Sequence, residues 1–213
     1  MIPEQPVTIA SPGGPALEGV LALPPGATIG VVVCHPHPLY GGDMDNPVVL
    51  TVTDACARQG LATLRFNFRG VGGSRGTWDE GRGEQDDVRA ALDHLRGRLG
   101  APARLALAGY SFGAAMALAV AGRSEPLAGL ALVAPPLASP TWRVPGALRL
   151  EGALLIAAGS EDTHCPRPAL TALVAALPEA TLTVIDGADH FFLHAGGAQL
   201  REAAAAWAAT LRP

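Results

Sequence analysis

The sequence of 213 residues contains no lysine, and all fifteen of its basic residues are arginine. This absence excludes a nucleotide-binding P-loop, whose lysine contacts the phosphates of the ligand. The arginines are spread singly among acidic residues without forming a basic tract, and the net charge is −4. Because nucleic-acid binding depends on clustered positive charge, we expect no nucleic-acid partner.

Cysteine is also scarce, and long apolar stretches are missing. Cys34, Cys56 and Cys165 are an odd number at wide spacing, so they fit neither a disulfide framework nor a zinc site of C-x-x-C pairs. No stretch reaches the ~18 apolar residues that a membrane helix needs. The first residues lack the charged and apolar regions of a secretory signal. We therefore expect buried free thiols in a cytoplasmic protein that has no membrane partner.

What the sequence does contain is an alternation of two kinds of segment. Hydrophobic residues make up 49% of the chain and charged residues 16%, which is typical of a globular protein. Apolar runs predict strands at 7–10, 17–23, 29–34, 62–68, 104–108, 128–134, 153–158 and 181–186. Amphipathic segments predict helices at 47–59, 84–99, 112–121, 168–176 and 198–211. The alternation predicts one doubly wound α/β domain over residues 1–213.

The pentapeptide GYSFG at 109–113 matches the G-x-S-x-G pattern of a nucleophile elbow. It follows an apolar run and opens an Ala-rich segment, which is the strand–turn–helix setting that such an elbow needs. Glycine at 109 and 113 allows close packing, so that Ser111 can occupy a strained turn with its hydroxyl exposed. The alternative is a glycine-rich strand-to-helix turn with an incidental serine.

A serine nucleophile needs a base and an acid that orients the base, and in this fold they follow in the order Ser, Asp or Glu, His. Asp162 and His190 have that order, and each comes directly after a predicted strand. Carboxyl ends of parallel strands meet at one edge of a sheet, so we expect the three side chains to meet there. Glu161 is an alternative acid, and His164 and His194 are alternative bases.

The oxyanion of the reaction needs two N–H donors. We expect the backbone N–H of Phe112 to be one of them. The second is expected in the segment after the third strand, where the amide of His37 stands between two prolines; the amides of Leu39 and Tyr40 are the alternatives. The same segment allows a competing hypothesis, a metal site formed by His35 and His37, but no third ligand is close by.

Several motifs together make the chain resemble an α/β-hydrolase. They are HPHP at 35–38 with Gly41, Gly42 and Asn46, FNFRGVGGS at 66–74, GRGEQDD at 81–87, GYSFGAA at 109–115 and GADHFF at 187–192. The chain is most similar to small bacterial serine hydrolases of the carboxylesterase and dienelactone-hydrolase-like kind. The resemblance implies an eight-stranded, mostly parallel sheet with helices on both faces. It also implies that Ser111 is the nucleophile, Asp162 the acid and His190 the base, with no cofactor and no metal.

Two further motifs are interpreted as architecture. The glycine-rich segment after Arg69 lacks the register of a phosphate-binding loop, so we expect a tight turn with a structural arginine. Glu84, Asp86 and Asp87 lie in the predicted first turn of a helix, where acidic side chains suit the helix dipole.

The spacing of the strands bears on access to the site. Only about eighteen residues, 135–152, separate the sixth and seventh predicted strands, which is too few for a helical cap domain. We therefore expect an open, lidless site that favours small or short-chain acyl groups. The predicted rim consists of Leu39, Tyr40, Phe112, Pro136, Leu137, Trp142, Phe191 and Phe192.

The expected activity is hydrolysis of a carboxylic ester through an acyl-enzyme, with a small-molecule ester as the substrate. A thioesterase, a peptidase or an acyltransferase would use the same residues, and a non-catalytic binding protein on this fold is a further alternative. The sequence leaves the oligomeric state open between monomer and homodimer.

Overall fold

Eight strands form one sheet in the computed structural model, which describes residues 2–11, 13–123, 126–139, 142–193 and 196–212. The strands are β1 (Glu4–Ile9), β2 (Leu17–Ala22), β3 (Ile29–Cys34), β4 (Ala62–Phe66), β5 (Arg104–Tyr110), β6 (Gly129–Val133), β7 (Leu154–Gly159) and β8 (Ala180–Ile185). Their spatial order is β1-β2-β4-β3-β5-β6-β7-β8. β2 is antiparallel to both of its neighbours, and the other pairs are parallel. The predicted mostly parallel sheet of eight strands is confirmed.

The central strands are buried on both faces. Every residue of β3, β4 and β7 is buried, which accounts for their continuous apolar sequences. β4 ends at Phe66, earlier than predicted, because the backbone N–H of Phe68 donates to the ring of His35 instead of to a strand. β5 continues to Tyr110, beyond its predicted end, so that this strand leads directly into Ser111.

Helices cover both faces of the sheet, as predicted. They are α1 (Pro47–Arg58), α2 (Arg82–Leu99), α3 (Phe112–Ala121), α4 (Arg167–Ala176) and α5 (Gly196–Thr210). α1 and α5 contribute to one hydrophobic cluster, and α2, α3 and α4 contribute to the other. Trp207 of α5 lies in the first cluster, and its indole N–H donates to the carbonyl oxygen of Ala153 at 3.1 Å. None of the helices that the structure describes is long and apolar enough to cross a membrane.

The connection between β6 and β7 is short. It comprises residues 134–153, and its described residues contain no helix. Leu127 and Leu150 form a parallel bridge that holds its last residues against the sheet. The expected absence of a cap domain is therefore confirmed for the described part of this connection.

All three cysteines are buried and unpaired, as the sequence predicts. Burial raises the pKa of the Cys56 thiol to about 12. Cys165 lies next to the sheet edge where Asp162 is found, and burial together with that carboxylate raises its pKa to about 12 as well. Both thiols therefore remain protonated and unreactive at neutral pH.

Candidate active site

Ser111 occupies a strained turn between β5 and α3. Its backbone has φ 53° and ψ −117°, a conformation that residues with a side chain rarely adopt. The turn is possible because two glycines flank it. A Cβ at Gly109 would overlap the backbone of Gly113, and a Cβ at Gly113 would overlap the carbonyl groups of Cys34 and His35. The geometry is that of a nucleophile elbow.

Asp162 lies directly after β7 and is buried. One oxygen of its carboxylate, Oδ1, accepts the backbone N–H groups of His164 at 2.8 Å and Cys165 at 3.1 Å. The other oxygen, Oδ2, lies 2.8 Å from Nδ1 of His190. The neighbouring acid, Glu161, is exposed to solvent. Of the two acids that the sequence offers, the structure brings Asp162 to the histidine.

The imidazole of His190 joins the acid to the serine. Its Nε2 lies 3.0 Å from Oγ of Ser111, and its Nδ1 faces the carboxylate. Since a carboxylate only accepts hydrogen bonds, Nδ1 carries the proton and Nε2 is free to accept one from the hydroxyl. The hydroxyl of Tyr110 donates to the backbone carbonyl of His190 at 3.0 Å, and burial raises the pKa of Tyr110 and keeps this donor protonated.

The two loops that carry the acid and the histidine are bound to each other. The N–H of Gly187 donates to Oγ of Ser160 at 2.8 Å, and the N–H of Glu161 donates to the carbonyl of Ala188 at 2.9 Å. A Cβ at Gly159 would overlap the carbonyl of Ala188, so this close approach requires glycine. The pairing of the loops sets the distance between the carboxylate and the imidazole.

The candidate oxyanion donors differ in what they already bind. The N–H of Leu39 donates to Nδ1 of His37 at 3.2 Å, and the N–H of Tyr40 donates to the carbonyl of His37 at 3.1 Å. Within the described part of the chain, the N–H groups of His37 and Phe112 have no acceptor. The rings of His37 and Phe112 are 5.1 Å apart, which places the two segments side by side.

Comparison with known proteins identifies the family of the chain. A family model described as serine aminopeptidase matches residues 46–154, just over half of the chain. An α/β serine hydrolase homologue from Coxiella burnetii is 35% identical, with a TM-score of 0.83 over 95% of this chain and 96% of that one. The chain belongs to the α/β serine hydrolases.

Two further proteins are similar to this hydrolase, one in structure and one in sequence. A serine hydrolase from Xanthomonas campestris, described as having no lid, is 32% identical with a TM-score of 0.80 over 94% of this chain and 91% of that one. An uncharacterised protein of Rickettsia prowazekii is 43% identical over 117 residues. That match covers 54% of this chain, and it spans about half, 48%, of the curated relative.

Of the two alternative bases, His164 and His194, the structure describes only His164. The side chain of His164 is 59% exposed and its ring centroid lies 4.5 Å from that of His190, so it flanks the site without replacing the base. His194 lies outside the described residues. The contact between the rings of His164 and His190 could not be predicted, because the positions of residues in the sequence do not show which side chains stack.

The residues of the predicted rim differ in their exposure to solvent. Leu39, Tyr40 and Phe191 are exposed by 63%, 87% and 59%, and Pro136, Leu137 and Trp142 are half-buried. The prediction is wrong for Phe192, which is 4% exposed and packs its ring on Tyr110. A positive φ of 53° at Phe192 turns its side chain from the surface into the core. The ring of Phe112 is buried as well, whereas Leu193, which the sequence pattern did not single out, is 59% exposed.

The remaining motifs of the hydrolase hold loops in place, but α2 begins at Arg82, earlier than predicted, so only Glu84 lies in its first turn and the prediction is wrong for Asp86 and Asp87. Arg69 donates through its backbone and its guanidinium to the fully buried carboxylate of Asp87. Glu84 accepts the N–H groups of Asp79 and Gly81, both at 2.8 Å, at the start of α2. None of these contacts reaches Ser111.

His35 connects the motif at 66–74 to residues 34–42, which include the candidate oxyanion donor His37 and are called the oxyanion segment here. Its Nε2 accepts the N–H of Phe68 at 3.0 Å, and its Nδ1 lies 2.6 Å from the carbonyl of Pro36. These partners require a neutral ring that carries its proton on Nδ1. The ring of His35 is fully buried, and neither His35 nor His37 belongs to a group of three potential metal ligands among the described residues, so the sequence hypothesis of a His35–His37 metal site is not supported.

The neutral state of His35 predicts a loss of stability in acid. Burial lowers its pKa from 6.5 to about 4. Between these pH values the unfolded chain binds the extra proton and the folded chain does not, so stability falls as the pH decreases from 6.5 towards 4. We expect His35 to make the free energy of unfolding, measured in urea, about 2 kcal/mol lower at pH 5 than at pH 7.

The variant His35→Gln isolates this contribution. It is expected to show a pH-dependent loss smaller by about 2 kcal/mol, whatever its absolute stability. Nitrogen NMR of the native protein provides an independent check, because His35 should keep a single proton on Nδ1 down to pH 5. Equal pH dependence in both proteins, or a doubly protonated His35 ring at pH 6, would refute this account.

Proposed function

We propose that this hydrolase cleaves carboxylic esters through an acyl-enzyme on Ser111. The observation that carries the proposal is the continuous chain of contacts from Ser111 Oγ to His190 Nε2 at 3.0 Å and from His190 Nδ1 to the Asp162 carboxylate at 2.8 Å. A serine hydroxyl is a weak nucleophile at neutral pH, and this arrangement supplies both the base and the group that orients it.

The reaction proceeds in two halves. Oγ of Ser111 attacks the ester carbonyl carbon while Nε2 of His190 takes the hydroxyl proton. The imidazolium, stabilised by Asp162, gives this proton to the leaving alcohol as its bond to the carbonyl carbon breaks. A water molecule then gives a proton to the same nitrogen and attacks the acyl group. The acid leaves, and Ser111 recovers its proton.

The amides of Phe112 and His37 stabilise the oxyanion in both halves. Both N–H groups lack an acceptor in the described chain, and both belong to segments that pack against the elbow. The amide of Phe112 also lies at the N-terminus of α3, where the helix dipole favours negative charge. Leu39 and Tyr40 are excluded as donors in this proposal because their N–H groups already bind His37.

The substrate we propose is a small-molecule ester with a small or short acyl group. Support comes from the capless connection after β6 and from the exposed apolar side chains of Leu39, Tyr40 and Phe191 beside the site. The chemistry of the triad needs neither cofactor nor metal. The three buried free thiols fit our proposal of a cytoplasmic location.

A peptidase is the second candidate. It is favoured by one observation, the match to a family described as serine aminopeptidase. The same three side chains would then act on an amide, whose amine leaving group also takes its proton from His190.

A fluorophosphonate probe tests the proposed nucleophile. We expect the native protein to be labelled on Ser111, with labelling that persists in EDTA. Ser111→Ala is expected to remove the label. Ser11→Ala makes the same change 100 residues earlier in the sequence and is expected to retain it. Absence of labelling in the folded native protein would contradict the proposal and favour a binding protein.

A substrate panel separates the two candidates. Turnover of p-nitrophenyl esters of increasing acyl length, of thioesters and of amino-acid p-nitroanilides is compared, with Ser111→Ala as the blank. The ester proposal predicts the highest kcat/KM for short acyl esters. A higher kcat/KM for the anilides would replace it with the peptidase.

A further inference from the structure

A second imidazole lies against the residues to which we assign catalysis. The ring centroid of His164 is 4.5 Å from that of His190, and its Nδ1 is 3.8 Å from Oδ1 of Asp162. Its side chain is 59% exposed, whereas those of Asp162 and His190 are 0% and 9% exposed. The proton transfers described above use the two buried groups and leave the exposed imidazole without a function.

We infer that Asp162, His164 and His190 bind one zinc ion, and that this binding switches the hydrolase off. Each of the three side chains offers one ligand atom, and these atoms lie within 4.8 Å of one another. Zinc bonds to nitrogen and carboxylate oxygen are about 2.0–2.2 Å long, so ligand atoms around a tetrahedral ion are roughly 3.4 Å apart. The widest spacing therefore has to close by at most about 1.4 Å, which rotation of the exposed His164 can supply, and the 2.8 Å between Nδ1 of His190 and Oδ2 of Asp162 has to widen by about 0.6 Å.

The type of ligand selects the metal. Two imidazoles and one carboxylate suit zinc, whereas magnesium and calcium prefer oxygen ligands. Three protein ligands leave the fourth position of the ion for water. His164 also provides the route of entry, because it is the one ligand of the three whose side chain is largely exposed.

Binding of the ion removes the general base. The ion binds Nδ1 of His190, which lies 2.8 Å from the Asp162 carboxylate, because Nε2 points away from Asp162 towards Oγ of Ser111. Coordination through Nδ1 moves the proton of that nitrogen to Nε2, and the ion replaces the hydrogen bond between Nδ1 and Asp162. Nε2 then donates instead of accepting, so the imidazole can no longer take the proton of Ser111 in the sequence proposed above. The effect on turnover rests on the proposed function, but the binding itself does not.

Calorimetry tests the binding separately from any activity. Zinc chloride is titrated into the native protein, His164→Ala and His94→Ala; the last changes a histidine of α2 and serves as the matched control. We expect one zinc ion per native chain. Loss of a residue that only hydrogen-bonds to a metal ligand already weakens metal binding 10–100-fold. Loss of a ligand itself in His164→Ala should therefore weaken zinc binding at least about tenfold. The His94→Ala protein should bind like the native one. Equal affinity in all three proteins, or no saturable binding, would overturn the zinc site.

Inhibition tests the switch. Zinc is expected to slow ester turnover and fluorophosphonate labelling of the native protein, and EDTA should restore both. Each rate is divided by the rate of the same protein without zinc. The zinc concentration that halves this relative rate should be at least about tenfold higher for His164→Ala than for the native protein. Binding without inhibition would refute the switch alone. A protein that binds zinc but has no hydrolase activity would refute the proposed function and leave the site standing.

Discussion

Replacing Asp162 with asparagine is expected to lower kcat by about 10⁴-fold while the protein stays folded. The reason lies in the hydrogen bonds of the carboxylate. Oδ1 accepts two backbone N–H groups, from His164 and Cys165, so the asparagine must place its oxygen there. Its NH₂ group then faces His190 Nδ1, which has to become an acceptor. The proton of the imidazole moves to Nε2, where it opposes the hydroxyl of Ser111.

The neighbouring acid supplies the matched control. Glu161 is exposed, and Glu161→Gln removes an adjacent negative charge without a change at the histidine, so kcat should stay close to the native value. The measurement is steady-state hydrolysis of a short acyl ester, with KM expected to change little in either variant because the substrate does not touch Asp162. A large loss in Glu161→Gln, or a small one in Asp162→Asn with an unchanged urea transition, would contradict the assignment of the acid.

The contacts of Ser111, Asp162 and His190 could be predicted from the sequence because each of them follows from a local rule. A serine between two glycines after an apolar run indicates an elbow. The order Ser, Asp, His at the ends of three parallel strands then indicates that Ser111, Asp162 and His190 share an edge. The structure places these side chains within hydrogen-bond distance of one another. The choice of Asp162 over Glu161 depends on burial and backbone hydrogen bonds, which spacing does not reveal.

Other features depend on loop conformation and could not be predicted. Phe192 enters the core because its backbone adopts a positive φ, which the sequence of two adjacent phenylalanines does not indicate. The sequence favours the amide of His37, but only the conformation of the turn shows that the alternative N–H groups, those of Leu39 and Tyr40, already donate to His37. The stacking of His164 on His190 joins two loops that follow different strands. These contacts depend on how loops that are distant in the sequence pack against one another. Local sequence patterns describe each loop separately and therefore do not predict them.

Replacing Gly113 with alanine is expected to reduce the free energy of unfolding by about 3 kcal/mol or more. The added Cβ would overlap the carbonyl groups of Cys34 and His35, which belong to the backbone of β3 and the oxyanion segment. Backbone on both sides cannot rotate away as a flexible side chain would. α3 must therefore shift away from β3, which also separates the amides of Phe112 and His37 and lowers kcat in the protein that still folds.

A glycine in open space isolates the overlap from the general effect of adding a methyl group. Gly97 lies within α2, and a Cβ there would meet no atom within 4 Å. Gly97→Ala should stabilise the protein by about 0.5–1 kcal/mol, because alanine loses less backbone entropy than glycine in a helix. Urea unfolding of both variants measures the contrast. Equal transitions for Gly113→Ala and the native protein would mean that α3 and β3 tolerate a side chain between them, and that the glycine of the elbow is not required by packing.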